Sequence, residues 1–145
     1  MVNRLFFAVC LFAISTTSFA TDQCTKGTEF EPPLCPLKLP KIIKITIQEN
    51  AAKSPADKDS SVACASFFIK KAQVRRYFAN AKTTNENDVH HTLDWSPCFA
   101  SGEVFFSDGR FGHWSLSQLR VGSLSINDEE RIILYCPRCK FRPFQ

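Results

Sequence analysis

The most regular pattern in the chain is an alternation of apolar and polar residues. In the segment Lys41–Glu49, three isoleucines occupy every second position, which is typical of a strand with one buried face. The same reasoning predicts six further strands along the chain. These are Val62–Ile69, His90–Trp95, Phe99–Phe106, Phe111–Ser117, Val121–Ile126 and Arg131–Cys136.

The last of these segments differs from the others because apolar residues occupy both of its faces. Ile132, Leu134 and Cys136 lie on one side, and Ile133 and Tyr135 lie on the other. A strand that is buried on both faces has this composition. The segment ends at a C-x-x-C pair, Cys136 and Cys139. Such a pair can be a redox site, half of a metal site or part of a disulfide framework, and the function depends on which of these is present.

Short turns connect the C-terminal strands. Asp108-Gly109 lies between two strand-like segments, and tight hairpin turns favour this pair because their central residues need positive φ. Consecutive strands joined by short turns pair in an antiparallel sheet. We predict an exposed loop over 50–61 and a polar turn over 83–88.

A helix is predicted from Lys71 to Lys82, where apolar residues recur at helical spacing. Val74, Tyr77 and Phe78 lie on one face of this helix. The predicted fold class is α+β: an antiparallel meander sheet of about five to seven strands, stapled by disulfides, with one amphipathic helix packed on one face.

The N-terminus predicts the compartment. A basic start at Arg4, about ten apolar residues and a small-residue ending at Ala20 are typical of a secretory signal peptide. We therefore predict a signal peptide at 1–20 with cleavage near Ala20, a proline-rich arm without regular structure at 21–40 and a single α+β domain at 41–145. The mature protein is expected to be secreted or periplasmic.

Charge and hydropathy exclude two classes of partner. Without Arg4, seventeen Lys and Arg stand against fourteen Asp and Glu, a net charge of +3, which is too small to indicate nucleic-acid binding. After the leader, no stretch approaches the roughly eighteen apolar residues that a membrane span needs. We expect a small soluble domain that does not span a membrane.

The mature chain keeps six of the seven cysteines: Cys24, Cys35, Cys64, Cys98, Cys136 and Cys139. An even number in a secreted chain of this size predicts disulfides, although six cysteines allow fifteen pairings. A Cys24–Cys35 bridge would close the arm and contribute roughly 2 to 3 kcal/mol. We expect Cys136 and Cys139 to pair with Cys64 and Cys98 at one site, with a direct Cys136–Cys139 bridge as the alternative.

A redox role for Cys136 and Cys139 is the alternative function. Thiol oxidoreductases place the first cysteine at a helix N-terminus, which stabilises the thiolate. Here six residues follow Cys139, and Pro143 breaks any helix among them. Arg138 and Lys140 could favour a thiolate electrostatically, so the alternative stays open.

Other chemistry has weaker support. His90 and His91 are adjacent and His113 stands alone, so the spacing of a zinc site is missing. Asp94, Glu103 and Asp108 could include a carboxylate pair, but surface carboxylates explain them as well. We predict no metal and no cofactor, and we expect a protein that is not an enzyme.

The leading hypothesis is a non-catalytic protein-binding module, such as an inhibitor or an immunity-type protein. Basic residues of the helix and the C-terminal tail are the candidate contacts with another protein. They are Arg75, Arg76, Arg138, Lys140 and Arg142. Phe141 and Phe144 would either enter a groove of the partner or pack back on the sheet.

Overall fold

The computed structural model describes residues 23–59 and 61–145. The predicted signal peptide and its cleavage site near Ala20 lie outside these residues. Within them, the chain forms seven strands and two helices. In chain order these are β1 (Cys35–Pro36), β2 (Ile42–Lys53), α1 (Lys71–Asn80), β3 (Lys82–Thr84), α2 (Glu86–Thr92), β4 (Cys98–Phe106), β5 (Phe111–Ser117), β6 (Val121–Ile126) and β7 (Ile132–Tyr135).

The strands form one antiparallel sheet in the order β1-β3-β7-β6-β5-β4-β2. Strands β4 to β7 are consecutive neighbours, which confirms the predicted antiparallel meander. Burial alternates along β4, β5 and β6, because successive side chains of a strand point to opposite faces of the sheet. One side, here called the core face, carries the buried side chains Trp114, Leu116 and Leu124. The opposite side, here called the groove face, carries Ser115 and Ser123.

The hairpin between β4 and β5 lies where Asp108-Gly109 predicts it, with different backbone angles. The Gly109 N–H donates to the Phe106 carbonyl at 3.1 Å, and the Phe106 N–H donates to the Arg110 carbonyl at 2.9 Å. Within this turn Gly109 alone takes positive φ, at 89°. Only the glycine therefore needs the conformation that we expected for both central residues.

Strand β2 pairs with β4, which lies far away in the sequence, and Ile45 is aligned with Val104. The strand is longer than predicted: it continues past Glu49 to Lys53, interrupted by bulges and by Ala51 at φ 50°. The predicted loop 50–61 therefore begins at Ser54. A bulge lets a strand continue through residues that break the alternation, which is why the pattern ends earlier than the strand.

The proline-rich arm contains a short strand that the sequence did not predict. Cys35 and Pro36 pair with β3 as β1, aligned with Thr83 and Lys82. Leu34 is buried. The edge of the sheet has room for Pro36 because an edge residue needs hydrogen bonds on one side only.

Helix α1 confirms the predicted amphipathic helix, although it ends two residues earlier, at Asn80. Val74, Tyr77 and Phe78 form its buried face, which packs on the core face of the sheet. At its start, the Gln73 side chain accepts a hydrogen bond from the Lys70 N–H at 2.6 Å. The helix stops because Ala81 is extended and β3 begins at Lys82.

Helix α2 replaces the predicted strand His90–Trp95 and part of the predicted polar turn. The Asn85 side chain caps the helix by accepting from the Asp88 N–H at 2.8 Å. Glu86 and Asp88 lie in the first turn, and His90 and His91 lie in the last, as the helix dipole favours. Helix α2 lies on the groove face, so the prediction of a single helix was wrong.

The predicted strand Val62–Ile69 was also wrong, because this segment forms turns and no ladder. The Phe67 N–H donates to the Cys64 carbonyl at 2.9 Å. The backbone of Ile69 is bonded by a side chain: Asn50 accepts from its N–H at 2.9 Å and donates to its carbonyl at 2.8 Å. Cys64, Phe67 and Ile69 are nevertheless buried. The apolar residues of this segment therefore indicated correctly that it is buried, but not that it forms a strand.

Candidate functional site

Cys136 and Cys139 lie at the end of β7 and bond to each other. The Cys139 N–H donates to the Cys136 carbonyl at 3.1 Å, so the two residues close a single turn. Both are 0% exposed. Reactive cysteines need access to their substrates, and this disulfide belongs to the core.

The remaining bridges are Cys64–Cys98 and Cys24–Cys35. The expected pairing of Cys136 and Cys139 with Cys64 and Cys98 is therefore wrong, and the direct bridge is present. Cys98, the first residue of β4, is bonded to Cys64 in the turn segment. Cys136 is bonded to Cys139, because the turn that follows β7 places these two residues close together. Three disulfides are typical of proteins in oxidising extracellular compartments.

The five basic candidate residues lie on α1 and on the C-terminal tail, and all five are exposed. The Arg75 Nη1 donates to the Ile42 carbonyl at 2.7 Å, on the β2 side of α1. The Arg76 guanidinium lies 4.1 Å from the centre of the Phe141 ring, on the tail side. Helix α1 and the tail are therefore in direct contact.

Aromatic packing holds the tail in place. The Phe144 ring stacks on Tyr77 at 5.3 Å and meets the edge of Phe67 at 5.5 Å. The Gln73 side chain donates to the Arg142 carbonyl at 2.7 Å. Phe144 is buried and Phe141 is half-buried, so the tail packs back on the protein.

The exposed cations of these neighbouring elements are here called the basic face. It consists of exposed cations from α1, from the residue before it and from the tail: Lys70, Lys71, Arg75, Arg76, Arg138, Lys140 and Arg142. The segments 70–85 and 131–145 contain no Asp or Glu. None of the ion pairs between described residues involves a member of the basic face.

A groove of about 460 Å³ lies on the other side of the sheet. Helix α2 and the loop after it, which carries Trp95, form one wall. The groove face of β4 to β7 forms the floor, with Phe99, Ser115, Ser123 and Ile133. The sequence did not indicate this site, because the segment 90–95, which contributes to the wall, was predicted to be a strand.

The groove floor carries a row of aligned hydroxyl groups. Ser115 on β5 is directly opposite Ser123 on β6, and Ser117 follows two residues later on the same face. All three are half-buried. Among the described residues, none of their hydroxyls has a side-chain partner, so they remain available to a ligand.

Charged residues lie at one end of the groove. The Arg131 Nη2 is 2.5 Å from the Glu86 Oε1, which also lies 3.9 Å from the His90 Nε2. Asp94 is exposed on the wall. Arg131 and Glu86 offset each other's charge, so the Asp94 carboxylate has no arginine or lysine partner among the residues that line the groove.

The carboxylates and histidines considered for catalysis lie on different elements. Asp108 is in the hairpin turn, with its Oδ2 2.8 Å from the Arg110 Nη2. Glu103 and Asp128 flank His113 at 4.0 and 3.7 Å. Within residues 23–59 and 61–145, no three His, Cys, Asp or Glu side chains form a group that could hold a metal ion.

No helix in the described part of the chain is long and apolar enough to cross a membrane. No protein-family model matches the sequence, and neither the curated proteins nor the solved structures contain a match.

Proposed function

We propose that this protein is a non-catalytic binding module of a secreted or periplasmic compartment, and that its basic face contacts an acidic surface of a partner protein. The observation that carries the proposal is the segregation of charge. Seven exposed cations lie on α1, the residue before it and the tail, without an acidic residue in either segment. Complementary charge speeds association and selects between partners.

The basic face is also held in shape before a partner arrives. The tail is fixed by the packing of Phe144 on Tyr77, and Arg76 is stacked on Phe141. A preorganised surface loses less conformational entropy on binding. Arginine is enriched at protein interfaces, and its planar guanidinium can bind a carboxylate with two hydrogen bonds. These features suit an inhibitor or an immunity-type protein, in which a rigid surface covers the functional site of its target.

A thiol–disulfide enzyme that uses Cys136 and Cys139 is the competing function. The burial of both residues in the core disfavours it, because a partner disulfide would have no access to a sulfur atom. The chain after Cys139 forms turns instead of the helix that stabilises a reactive thiolate.

The test uses charge reversal on the immobilised mature protein. The variant Arg76→Glu/Arg142→Glu changes the basic face. The control Lys26→Glu/Lys58→Glu makes the same change in net charge at two exposed positions elsewhere. Each protein is exposed to the extracytoplasmic fraction of its own organism, and captured complexes are weighed by native mass spectrometry.

We expect the wild type and the control to capture one protein in a fixed stoichiometry. The Arg76→Glu/Arg142→Glu variant should lose at least about 90% of this capture, since each lost charge-assisted contact weakens binding severalfold. Equal capture by the two variants would place the interface elsewhere. The absence of any stoichiometric partner of the wild type would refute the proposal.

A further inference from the structure

We propose that the groove binds a neutral sugar, one or two pyranose rings in size, with a ring stacked on Trp95 and its hydroxyls bonded to the serines of the floor. This site lies on the opposite side of the sheet from the basic face. It is independent of the proposed protein partner.

The indole of Trp95 provides the apolar surface. Trp95 is 63% exposed, although tryptophan is usually well buried, and it lies on the wall of the groove. The next residue fixes the loop: the Ser96 hydroxyl accepts from the Cys98 N–H at 3.2 Å and lies 3.3 Å from the Gln118 side chain. One face of a pyranose ring consists of C–H groups, which pack against an aromatic plane and leave the hydroxyls at the ring edge free.

The floor provides the polar contacts. A serine hydroxyl both donates and accepts, and a sugar hydroxyl does the same, so either partner can adjust to the other. Residues directly opposite each other in antiparallel strands have Cβ atoms about 5 Å apart, and Ser115 and Ser123 have this relationship. Ser117 lies about 7 Å further along β5. Three hydroxyls over this distance can serve neighbouring substituents of one or two rings.

Charge and polarity select against other ligand classes. Arg131 is already paired with Glu86, so the described residues offer no unpaired arginine or lysine for a phosphate or carboxylate in this groove. A wholly apolar ligand would cover the serine hydroxyls without giving them a hydrogen-bond partner, which costs free energy. A neutral ligand that combines an apolar face with many hydroxyls meets both conditions.

The volume agrees with this assignment. About 460 Å³ lies inside the range of roughly 300 to 1,000 Å³ that is usual for small-molecule sites. Because Trp95 on the wall is 63% exposed, the groove is accessible to solvent and the ligand keeps part of its surface in water. We therefore expect dissociation constants between the micromolar and millimolar range.

The test uses the mature protein with its disulfides intact and three neutral disaccharides: cellobiose, maltose and N,N'-diacetylchitobiose. Trialanine is the peptide probe. Acrylamide quenching of tryptophan fluorescence reports on Trp95, since Trp114 is only 2% exposed. We expect at least one disaccharide to protect Trp95 saturably, while trialanine has no effect.

Variants locate the site by calorimetry or by chemical-shift titration. Trp95→Ala should abolish saturable binding, and Ser115→Ala/Ser123→Ala should weaken it roughly tenfold, as expected for two lost hydrogen bonds. The matched control is Phe68→Ala, which removes another exposed aromatic side chain, 61% exposed and outside the groove; it should bind like the wild type.

Three results would overturn the proposal. These are no saturable effect of any of the disaccharides at millimolar concentrations, equal losses in Trp95→Ala and Phe68→Ala, or stronger binding of trialanine than of the sugars. Circular dichroism of each variant separates a lost site from a lost fold.

Discussion

The Tyr77 hydroxyl donates a hydrogen bond of 2.9 Å to the carbonyl of Arg120, and so joins α1 to the turn between β5 and β6. Tyr77 is fully buried and also supports the stacked ring of Phe144. The end of β7 also holds this turn, because the Arg120 carbonyl accepts a second hydrogen bond from the Cys136 N–H at 3.1 Å. One carbonyl therefore links the helix, the sheet and the terminal disulfide.

The first prediction concerns this bond. Tyr77→Phe keeps the ring and removes the donor, and we expect it to lower the free energy of unfolding by roughly 1 to 2 kcal/mol. Urea denaturation followed by circular dichroism measures the change. Tyr135→Phe is the control, because no described hydrogen bond uses its hydroxyl. A larger loss in the control would show that the Tyr77 bond adds little.

The second prediction concerns alkaline pH. Burial, and to a smaller extent the nearby charge of Tyr135, raises the pKa of Tyr77 above its ordinary value. The stability that neutral Tyr77 provides is complete below the unfolded-state pKa of about 10 and decreases as pH rises above it, by at most about 1.4 kcal/mol per pH unit.

The Tyr135→Phe variant makes this measurable, because the chain has two tyrosines. In an alkaline titration of this variant, we expect the tyrosinate absorbance to develop together with unfolding as seen by circular dichroism. An absorbance change that precedes unfolding would mean that Tyr77 ionises in the folded protein.

Local patterns were sufficient to predict much of the sheet. The alternation in β4, β5 and β6 and the glycine of the hairpin depend on neighbouring residues, so the sequence alone revealed the meander. Helix α2 was missed because the segment 90–95, with Leu93 and Trp95 at alternate positions, was predicted to be a strand. The stronger signal was a helix start. Asn85 is a favourable N-cap residue, and the negative charges of Glu86 and Asp88 in the first turn interact favourably with the helix dipole.

The candidate sites were less predictable because they depend on contacts between distant segments. The pairing of Cys64 with Cys98 cannot be read from their spacing. The groove exists because α2 lies over part of the face that carries Ser115 and Ser123, and a sequence pattern does not show this contact between distant segments. The basic residues of α1 and of the tail could be named from the sequence, but not the contact of Arg76 with Phe141 that joins them.

The third prediction is an order of disulfide reduction. Cys24 is exposed and Cys35 is half-buried, whereas Cys136 and Cys139 are both 0% exposed. Under mild reductant without denaturant, we expect Cys24–Cys35 to open first and Cys136–Cys139 to resist until the protein unfolds. Alkylation followed by peptide mass spectrometry gives the order. Early reduction of Cys136–Cys139 would favour the redox function over the binding function.

The fourth prediction concerns a close approach of two strands. A Cβ atom at Gly102 would lie 2.1 Å from the Thr46 carbonyl oxygen and 2.9 Å from the Trp114 ring. We expect Gly102→Ala to cost about 3 kcal/mol, since the backbone of β2 would have to move. Gly109→Ala is the comparison: it has open space but a φ of 89°, and should cost about 1 kcal/mol. Thermal unfolding separates the two.

The pairing of β2 with β4 has a consequence for the order in which the protein assembles. Strands β4 to β7 are joined by loops of three to five residues, so they can associate quickly and locally. Strand β2 must close a much longer loop before it gains a partner. We expect pulsed hydrogen exchange during refolding to protect β4–β7 before β2; simultaneous protection would argue against this order. During synthesis, the isoleucine-rich β2 emerges before its partner exists, and until β4 follows, its edge is open to other chains.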